Sequence, residues 1–273
     1  MARLINRRPG RSGQLLLAAL PFLLLLLAYA MASDARLAAN PNDKLLPSFA
    51  SFAEAIERLA FEPDPRKGSY ILWDDTFASL LRLGLGLAVA TGIGLIAGVA
   101  IGLLPFARAA FAPLVAVLSV VPPLAVLPIL FIVFGLGEVA KVTLIVIGVT
   151  PFIVRDLSMS VATLPREQLV KAQTLGASTW QIVLRVVLPQ TLPRLVSAVR
   201  LSLGPAWLFL ISSEAIAATE GLGYRIFLVR RYLAMDVILP YVAWITLLAF
   251  LIDWLLRALA RRAFAWQPGE QAL

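Results

Sequence analysis

The 273-residue sequence contains no cysteine and no histidine. It therefore cannot form disulfides, thiol nucleophiles or thiolate metal sites. Ser-His and Cys-His catalytic pairs and histidine metal sites are excluded as well. Charge is also scarce: Asp, Glu, Lys and Arg make up 15% of the residues, against 60% hydrophobic. Such a composition lies far outside the soluble globular range and specifies a polytopic membrane protein. No G-x-x-x-x-G-K-[ST] run is present, so the chain has no phosphate loop of its own. Internal repeats are absent, and the only low-complexity tract is the leucine run at 23–27.

Long apolar runs fill most of the chain. The first, residues 15–32, follows Arg3, Arg7, Arg8 and Arg11. A basic start before an apolar run also suits a signal peptide. This run is nearer 18 residues than 10, and Ala28-Tyr29-Ala30 is a poor cleavage site, so it reads as a retained transmembrane helix. A polar segment with Pro41, Pro47, Pro63 and Pro65 follows, with a short amphipathic helix expected over residues 51–61. The second span covers residues 76–104. Its Ala90, Gly94, Gly98 and Gly102 recur every four residues and share one helix face, which lets two backbones approach closely in lipid.

The third span, residues 111–134, is interrupted by Pro113, Pro122, Pro123 and Pro128. Such breaks free backbone carbonyls and are tolerated only against protein or a wet cavity, which makes Pro122 and Pro123 candidate pathway residues. Gly135-Leu136-Gly137 turns the chain, and Glu138 opens a fourth span ending near residue 159. A fifth covers 195–218 and a sixth 237–259, with Gly221-Leu222-Gly223 between them. The expected division is 1–75 for the first helix and outer segment, 76–260 for a five-helix core with a loop at 160–193, and 261–273 for the tail.

Six spans place both termini on one side. With the termini and the 2–3 and 4–5 loops assigned to the cytoplasm, that side holds fourteen Lys/Arg. They are Arg3, Arg7, Arg8, Arg11, Arg108, Arg155, Arg166, Lys171, Arg185, Arg194, Arg200, Arg257, Arg261 and Arg262. Only four acids, Asp156, Glu167, Asp253 and Glu270, oppose them, a balance of +10. The outer segments hold nine bases and twelve acids, a balance of −3, and Arg82 within a span completes the net +8. The basic residues follow the positive-inside rule, which accounts for them without nucleic acid.

Between the fourth and fifth spans lies the polar island LPREQLVKAQTLGASTWQIVLRVVLPQTLP, residues 164–193. Pro165 suits the first turn of a helix over residues 166–175, and Gly176 supplies the backbone at which it stops. Ser178 can cap a second helix carrying Trp180, Ile182, Val183 and Val186, which Pro189 and Pro193 are expected to end. Two short helices broken at a glycine make a knob suited to a groove on a partner.

The spacing resembles the cytoplasmic loop of ATP-binding-cassette (ABC) importer permeases: E-A-A, three residues, G, nine residues, I, any residue, L-P. Ala172, Gly176, Val186 and Leu188-Pro189 occupy the matching positions, while Val170 and Lys171 stand where that pattern has Glu and Ala. Ser79-Leu80-Leu81-Arg82, Pro122-Pro123-Leu124, Pro128, Phe134-Gly135-Leu136-Gly137, Ala206-Trp207, Glu214 and Gly221-Leu222-Gly223 are similar to the nitrate/sulfonate/taurine group of these permeases. The likeness covers residues 70–262. It implies an all-α, six-helix, type I importer permease in a bacterial inner membrane, working as a homodimer. It also implies a separate cytoplasmic ATPase holding ATP and Mg, and a periplasmic substrate-binding protein. Lys171, Ala172, Leu175, Gly176, Ala177, Trp180 and Pro189 would then form the ATPase-coupling loop. The solute would be nitrate, a sulfonate, taurine or, from Asp64-Pro-Arg-Lys-Gly68 and Leu72-Trp73, a urea- or guanidine-like compound.

Arg82 and Glu214 lie near the outer ends of their spans. They read either as an ion pair or solute ligands at an outer gate, or as side chains that snorkel to the interface. Asp253 and Arg257 are spaced as an (i, i+4) pair. Trp73, Trp207, Trp244, Trp254 and Trp266 read as interfacial anchors. Two other classes compete. A gradient-driven secondary transporter would be expected to show a repeat with matching broken spans, and an intramembrane enzyme would need a Ser-Lys pair or an aspartate dyad.

Overall fold

A computed structural model describes residues 10–41, 43–65 and 68–266. Arg3, Arg7, Arg8, Arg66, Lys67 and Glu270 lie outside the described residues. All regular elements among the described residues are helical. They are α1 (Arg11–Ala39), α2 (Phe49–Ala60), α3 (Ile71–Leu103), α4 (Pro105–Leu118), α5 (Pro123–Phe134) and α6 (Glu138–Ala162). After these come α7 (Arg166–Thr174), α8 (Thr179–Ile182), a π turn (Val183–Val187), α9 (Leu188–Ala217), α10 (Leu222–Arg230) and α11 (Met235–Ala263).

Five of these stretches are long and apolar enough to cross a membrane, and α4 with α5, bent by 95° at their break, supply a sixth if counted as one span. The bend sits where Pro122 precedes Pro123, the first residue of α5: Pro disfavours helix at the residue before it and lacks the N–H to continue the ladder. The third span expected at 111–134 is thus two helices.

The centre of the bundle is the pairing of α3 with α6. A Cβ added at Gly86 would stand 2.7 Å from Ile145 Cγ2, at Gly98 2.7 Å from Leu157 Cβ and at Gly102 2.5 Å from Val161 Cβ; at Gly94 it would run into Ile153. In each pair the partners are 59 positions apart, so the two helices run parallel in a single register. The four-residue glycine repeat therefore faces α6, where Ile145, Ile153 and Leu157 are fully buried. Helix α9 packs on α6 in the opposite direction. Arg194 meets Asp156, Phe209 lies against Gly148, and Glu214 approaches the Arg82–Glu138 pair.

Helix α1 stands apart, its apolar surface exposed along nearly its whole length. It reaches the body through α2 and the segment before it. Tyr29 Oη donates to Pro47 O at 2.7 Å, Ser33 Oγ donates to Leu46 O at 2.9 Å, and Arg36 pairs with Asp43. Ser48 caps α2 by accepting the Ser51 N–H at 3.2 Å. Phe49 and Phe52 of α2 meet the Tyr29 ring at 5.6 and 5.9 Å between centroids.

Two sequence expectations are corrected. Pro189 and Pro193 do not end the helix after Trp180. The chain passes through the π turn into α9, with Pro189 in its first turn and Pro193 inside it. The π turn absorbs the missing donors, and side chains take up nearby carbonyls: Gln190 Nε2 donates to Val186 O at 2.9 Å and Thr191 Oγ1 to Val187 O at 3.0 Å. Trp207 is not an interfacial anchor either; it is 5% exposed, inside the bundle. Trp73 and Trp244 instead stack edge-on at 5.7 Å, their indole N–H groups donating to Ala60 O and Thr76 Oγ1.

Candidate functional site: a doubly capped knob and a buried charge cluster

Helix α7 ends in a Schellman motif. The Gly176 N–H donates to Gln173 O at 2.9 Å and the Ala177 N–H to Ala172 O at 3.0 Å, which requires the left-handed φ of +79° at Gly176. A Cβ at Gly176 would meet nothing within 4 Å, so the glycine is required by backbone conformation and not by space. The next residues re-initiate helix through a capping box: the Gln181 N–H donates to Ser178 Oγ at 3.3 Å, and the Ser178 N–H to Gln181 Oε1 at 2.8 Å. The two caps fix a tight corner between α7 and α8.

The corner has two faces. Ala172 and Ala177 pack toward a small apolar cluster of Val99, Val161, Ile182 and Val187, which seats the knob on the ends of α3 and α6. On the other face Leu175 is 87% exposed and Trp180 67% exposed, with Val170 beside them. Lys171 is also exposed, and half-buried Pro189 begins the rigid continuation into α9. Gln190 Nε2 donates to Gln168 Oε1 at 2.9 Å, tying α7 to that continuation.

At the opposite end of α3 lies a buried cluster of charges. Arg82 Nη1 donates to Glu214 Oε1 at 2.8 Å and to Glu220 O at 2.9 Å; Arg82 Nη2 donates to Glu138 Oε1 at 2.9 Å. Lys141 Nζ donates to the same Glu138 oxygen at 2.9 Å. Arg82 is 3% exposed and Glu214 0%, so neither snorkels to an interface. The start of α10 completes the cluster. The Gly221, Leu222 and Gly223 N–H groups donate to Asp75 Oδ1 at 2.9 Å, Ser79 Oγ at 2.8 Å and Glu214 Oε2 at 2.8 Å. These are the orphan donors of a helix N-terminus, and two of their acceptors are carboxylates, as the helix dipole favours.

Gly221 has φ +124°, and a Cβ there would stand 2.6 Å from Glu214 Cδ and 2.7 Å from Arg82 Nη1. A Cβ on Gly223 would stand 2.7 Å from Ile211 O, so the Gly-Leu-Gly sequence is required by contact on both sides. Asp75 also accepts Arg225 Nε at 2.8 Å and Tyr241 Oη at 3.1 Å. Burial alone would pull the Arg225 guanidinium down, but Asp75 more than offsets this and holds it above its ordinary value.

The sequence pattern does not by itself single out Asp75, Lys141 or Arg225, and it marks Glu138 only as a helix start. The signal is one of spacing: Asp75, Ser79 and Arg82 fall at i, i+4 and i+7, one polar stripe on an apolar helix, and Glu138 and Lys141 fall at i and i+3. Asp253 does pair with Arg257 at 3.1 Å, but its closer partner is Arg200 of α9, at 2.8 Å. Pro122 and Pro123 stand at the break between α4 and α5, remote in sequence from both clusters.

An all-helical bundle with five or six apolar spans and a broken helix among the described residues defines a multi-pass membrane protein. Residues 90–265 match the family described as "Binding-protein-dependent transport system inner membrane component", and the chain belongs to that family. It is 38% identical to the taurine transport system permease protein TauC of Escherichia coli K12, over 73% of each chain. The putative aliphatic sulfonates transport permease protein SsuC of Bacillus subtilis is 29% identical over 71% of this chain and 70% of its own. In structure, a chain of the inward-facing MetNI methionine ABC transporter aligns with a TM-score of 0.62, 22% identity, and coverage of 70% of this chain and 95% of that one. A chain of the bacterial alginate ABC transporter aligns with a TM-score of 0.61 at 13% identity, over 93% and 99%.

Proposed function

We propose that this chain is the membrane-spanning subunit of an ATP-driven importer for a small oxyanionic solute of the taurine, sulfonate or nitrate kind. The observation that carries the reading is the knob at Gly176. It presents Leu175 and Trp180 outward and is continuous, through the π turn, with α9. A push on such a corner moves a membrane-crossing helix as one body, which suits a subunit driven from outside. The solute class rests on the relatives, which are named for taurine and aliphatic sulfonates.

In this reading a separate ATPase subunit binds ATP and Mg and docks on residues 166–182. A periplasmic binding protein delivers the solute, and a second copy of this chain completes the pathway. Both termini lie in the cytoplasm of an inner membrane, as the distribution of basic residues favours. Closure of the ATPases on ATP draws the knobs together and α9 with them, so the spans rock from inward-open to outward-open; hydrolysis resets them. The buried cluster at the other end of α3 acts as a fixed latch joining α3, α6, α9 and α10, so that these helices move as a block.

Affinity purification of the tagged chain in mild detergent, with mass spectrometry of what accompanies it, tests the assignment. An ATPase subunit should be recovered with the wild type and lost on Trp180→Ala and Leu175→Ala. A folded permease that purifies alone would move the assignment to a gradient-driven transporter.

A further inference from the structure

Five basic residues lie on α3, α6 and α9: Arg82, Lys141, Arg155, Arg194 and Arg200. Four of them have carboxylate partners. Arg82 meets Glu138 and Glu214, Lys141 meets Glu138, Arg194 meets Asp156 and Arg200 meets Asp253. Arg155 alone has none among the described residues. It is exposed, and it lies seven residues before the end of α6, roughly 10 Å inside that end at 1.5 Å per residue. In the orientation proposed above this is the cytoplasmic end of the span, where an arginine side chain reaches water and its charge stays available to a ligand.

Arg155 lines a cavity of about 380 Å³ formed where the break between α4 and α5 faces α6 and α9. Ser119 and Pro123 line the side at the break, Pro151 the α6 wall, and Phe209 of α9 leans over Gly148 to close the far side. Asp156 also borders the cavity, but both its oxygens are taken by Arg194, at 2.7 and 2.5 Å. The acid is thereby neutralised and the Arg155 charge is left over. The start of α5 adds the positive end of a helix dipole on the same side as Pro123.

We infer that this cavity is an oxyanion-binding station on the transport pathway, with Arg155 as the residue that binds the solute's charged group. A planar guanidinium takes two oxygens of a sulfonate or nitrate side by side. Ser119 lies in the same lining, its hydroxyl proton committed to Val115 O at 2.6 Å. The cluster at Arg82 and Glu214 cannot serve this purpose, because each of its cations already faces a carboxylate. The inference rests on the solute class proposed above and adds to it the place in the pathway and the residue.

The absence of cysteine gives a direct test. Ser119→Cys and Met159→Cys each place one thiol on the cavity lining of the intact permease in membrane vesicles. Labelling rates are measured with anionic sulfonatoethyl and cationic trimethylammonioethyl methanethiosulfonates, and with the neutral methyl reagent. The anionic-to-cationic rate ratio should fall about tenfold when Arg155→Gln is added, and Arg155→Lys should restore most of it. Methanesulfonate should slow the neutral reagent in the Arg155 background and lose that effect with Arg155→Gln.

A ratio indifferent to Arg155, with no protection by methanesulfonate, would overturn the inference. So would two thiols that the neutral reagent cannot reach. Recovery of the ATPase in the purification experiment is independent of both results. A co-purifying ATPase with an indifferent ratio would remove the anion station and leave the importer reading standing; a permease that purifies alone but passes the labelling test would do the reverse.

Discussion

Arg82 and Glu214, 132 positions apart in the chain, face each other at 2.8 Å in a site that leaves Arg82 3% and Glu214 0% exposed. Neither could be buried by itself, since an unpaired ion in such surroundings costs several kcal/mol. The pair is therefore a statement about assembly: α3 and α9 reach their places together, with the first turn of α10 supplying the remaining donors.

Removing one partner should be much worse than removing both. Glu214→Leu is expected to destabilise the chain by about 3 kcal/mol, because the Gly223 N–H loses its acceptor and Arg82 keeps only Glu138 of its two carboxylates. Arg82→Met together with Glu214→Leu should recover part of that loss. Thermal unfolding of the detergent-solubilised variants reads the difference, and equal losses in the single and double variants would argue against a coupled pair.

The parallel register of α3 on α6 makes a sharper contrast between two glycines on one helix. Gly98→Ala pushes a methyl group to 2.7 Å from Leu157 Cβ and 3.3 Å from Val154 O, and should cost about 1–3 kcal/mol. Gly92→Ala meets nothing within 4 Å and should stabilise by up to about 1 kcal/mol through helix propensity alone. The same melting experiment decides whether small residues are required on one face only.

At the knob, Gly176→Val introduces a β-branched residue at φ +79° with no steric clash from outside. The direct cost is about 1–2 kcal/mol of backbone strain, too little to unfold a chain anchored by its spans. The variant should therefore reach the membrane in normal amount while its uptake fails. Immunoblotting of membranes beside uptake assays checks this, and normal uptake would show that the corner is not where force enters.

Much of this molecule could be read before folding. The Pro165, Gly176 and Ser178 corner is local chemistry: a proline that stands at the N-cap of α7, one position before the first turn, a left-handed stop and a capping serine, each decided within four residues. The glycine face of α3 was equally plain, since a four-residue repeat has one geometric meaning on a helix. What was not legible needed a partner distant in the chain. Asp75 reads as part of a polar outer segment, because the groups that donate to its carboxylate, on Gly221, Arg225 and Tyr241, lie about 150 residues further on. Pro189 and Pro193 looked like stops because the proline rule assumes an α-helix, and the π turn before them changes the register. The first span, read as residues 15–32, proved to run over Arg11–Ala39, because helix continues past the apolar run until Asn40 and Pro41.

Uptake by the purified permease, its ATPase and its binding protein, reconstituted in proteoliposomes, tests the central claim most directly. With ATP inside and the binding protein outside, the wild type should accumulate radiolabelled taurine or a simple alkanesulfonate in the absence of any ion gradient. The Gly176→Val complex should hydrolyse ATP without accumulating solute. Accumulation that needs an imposed ion gradient and ignores ATP would contradict the account.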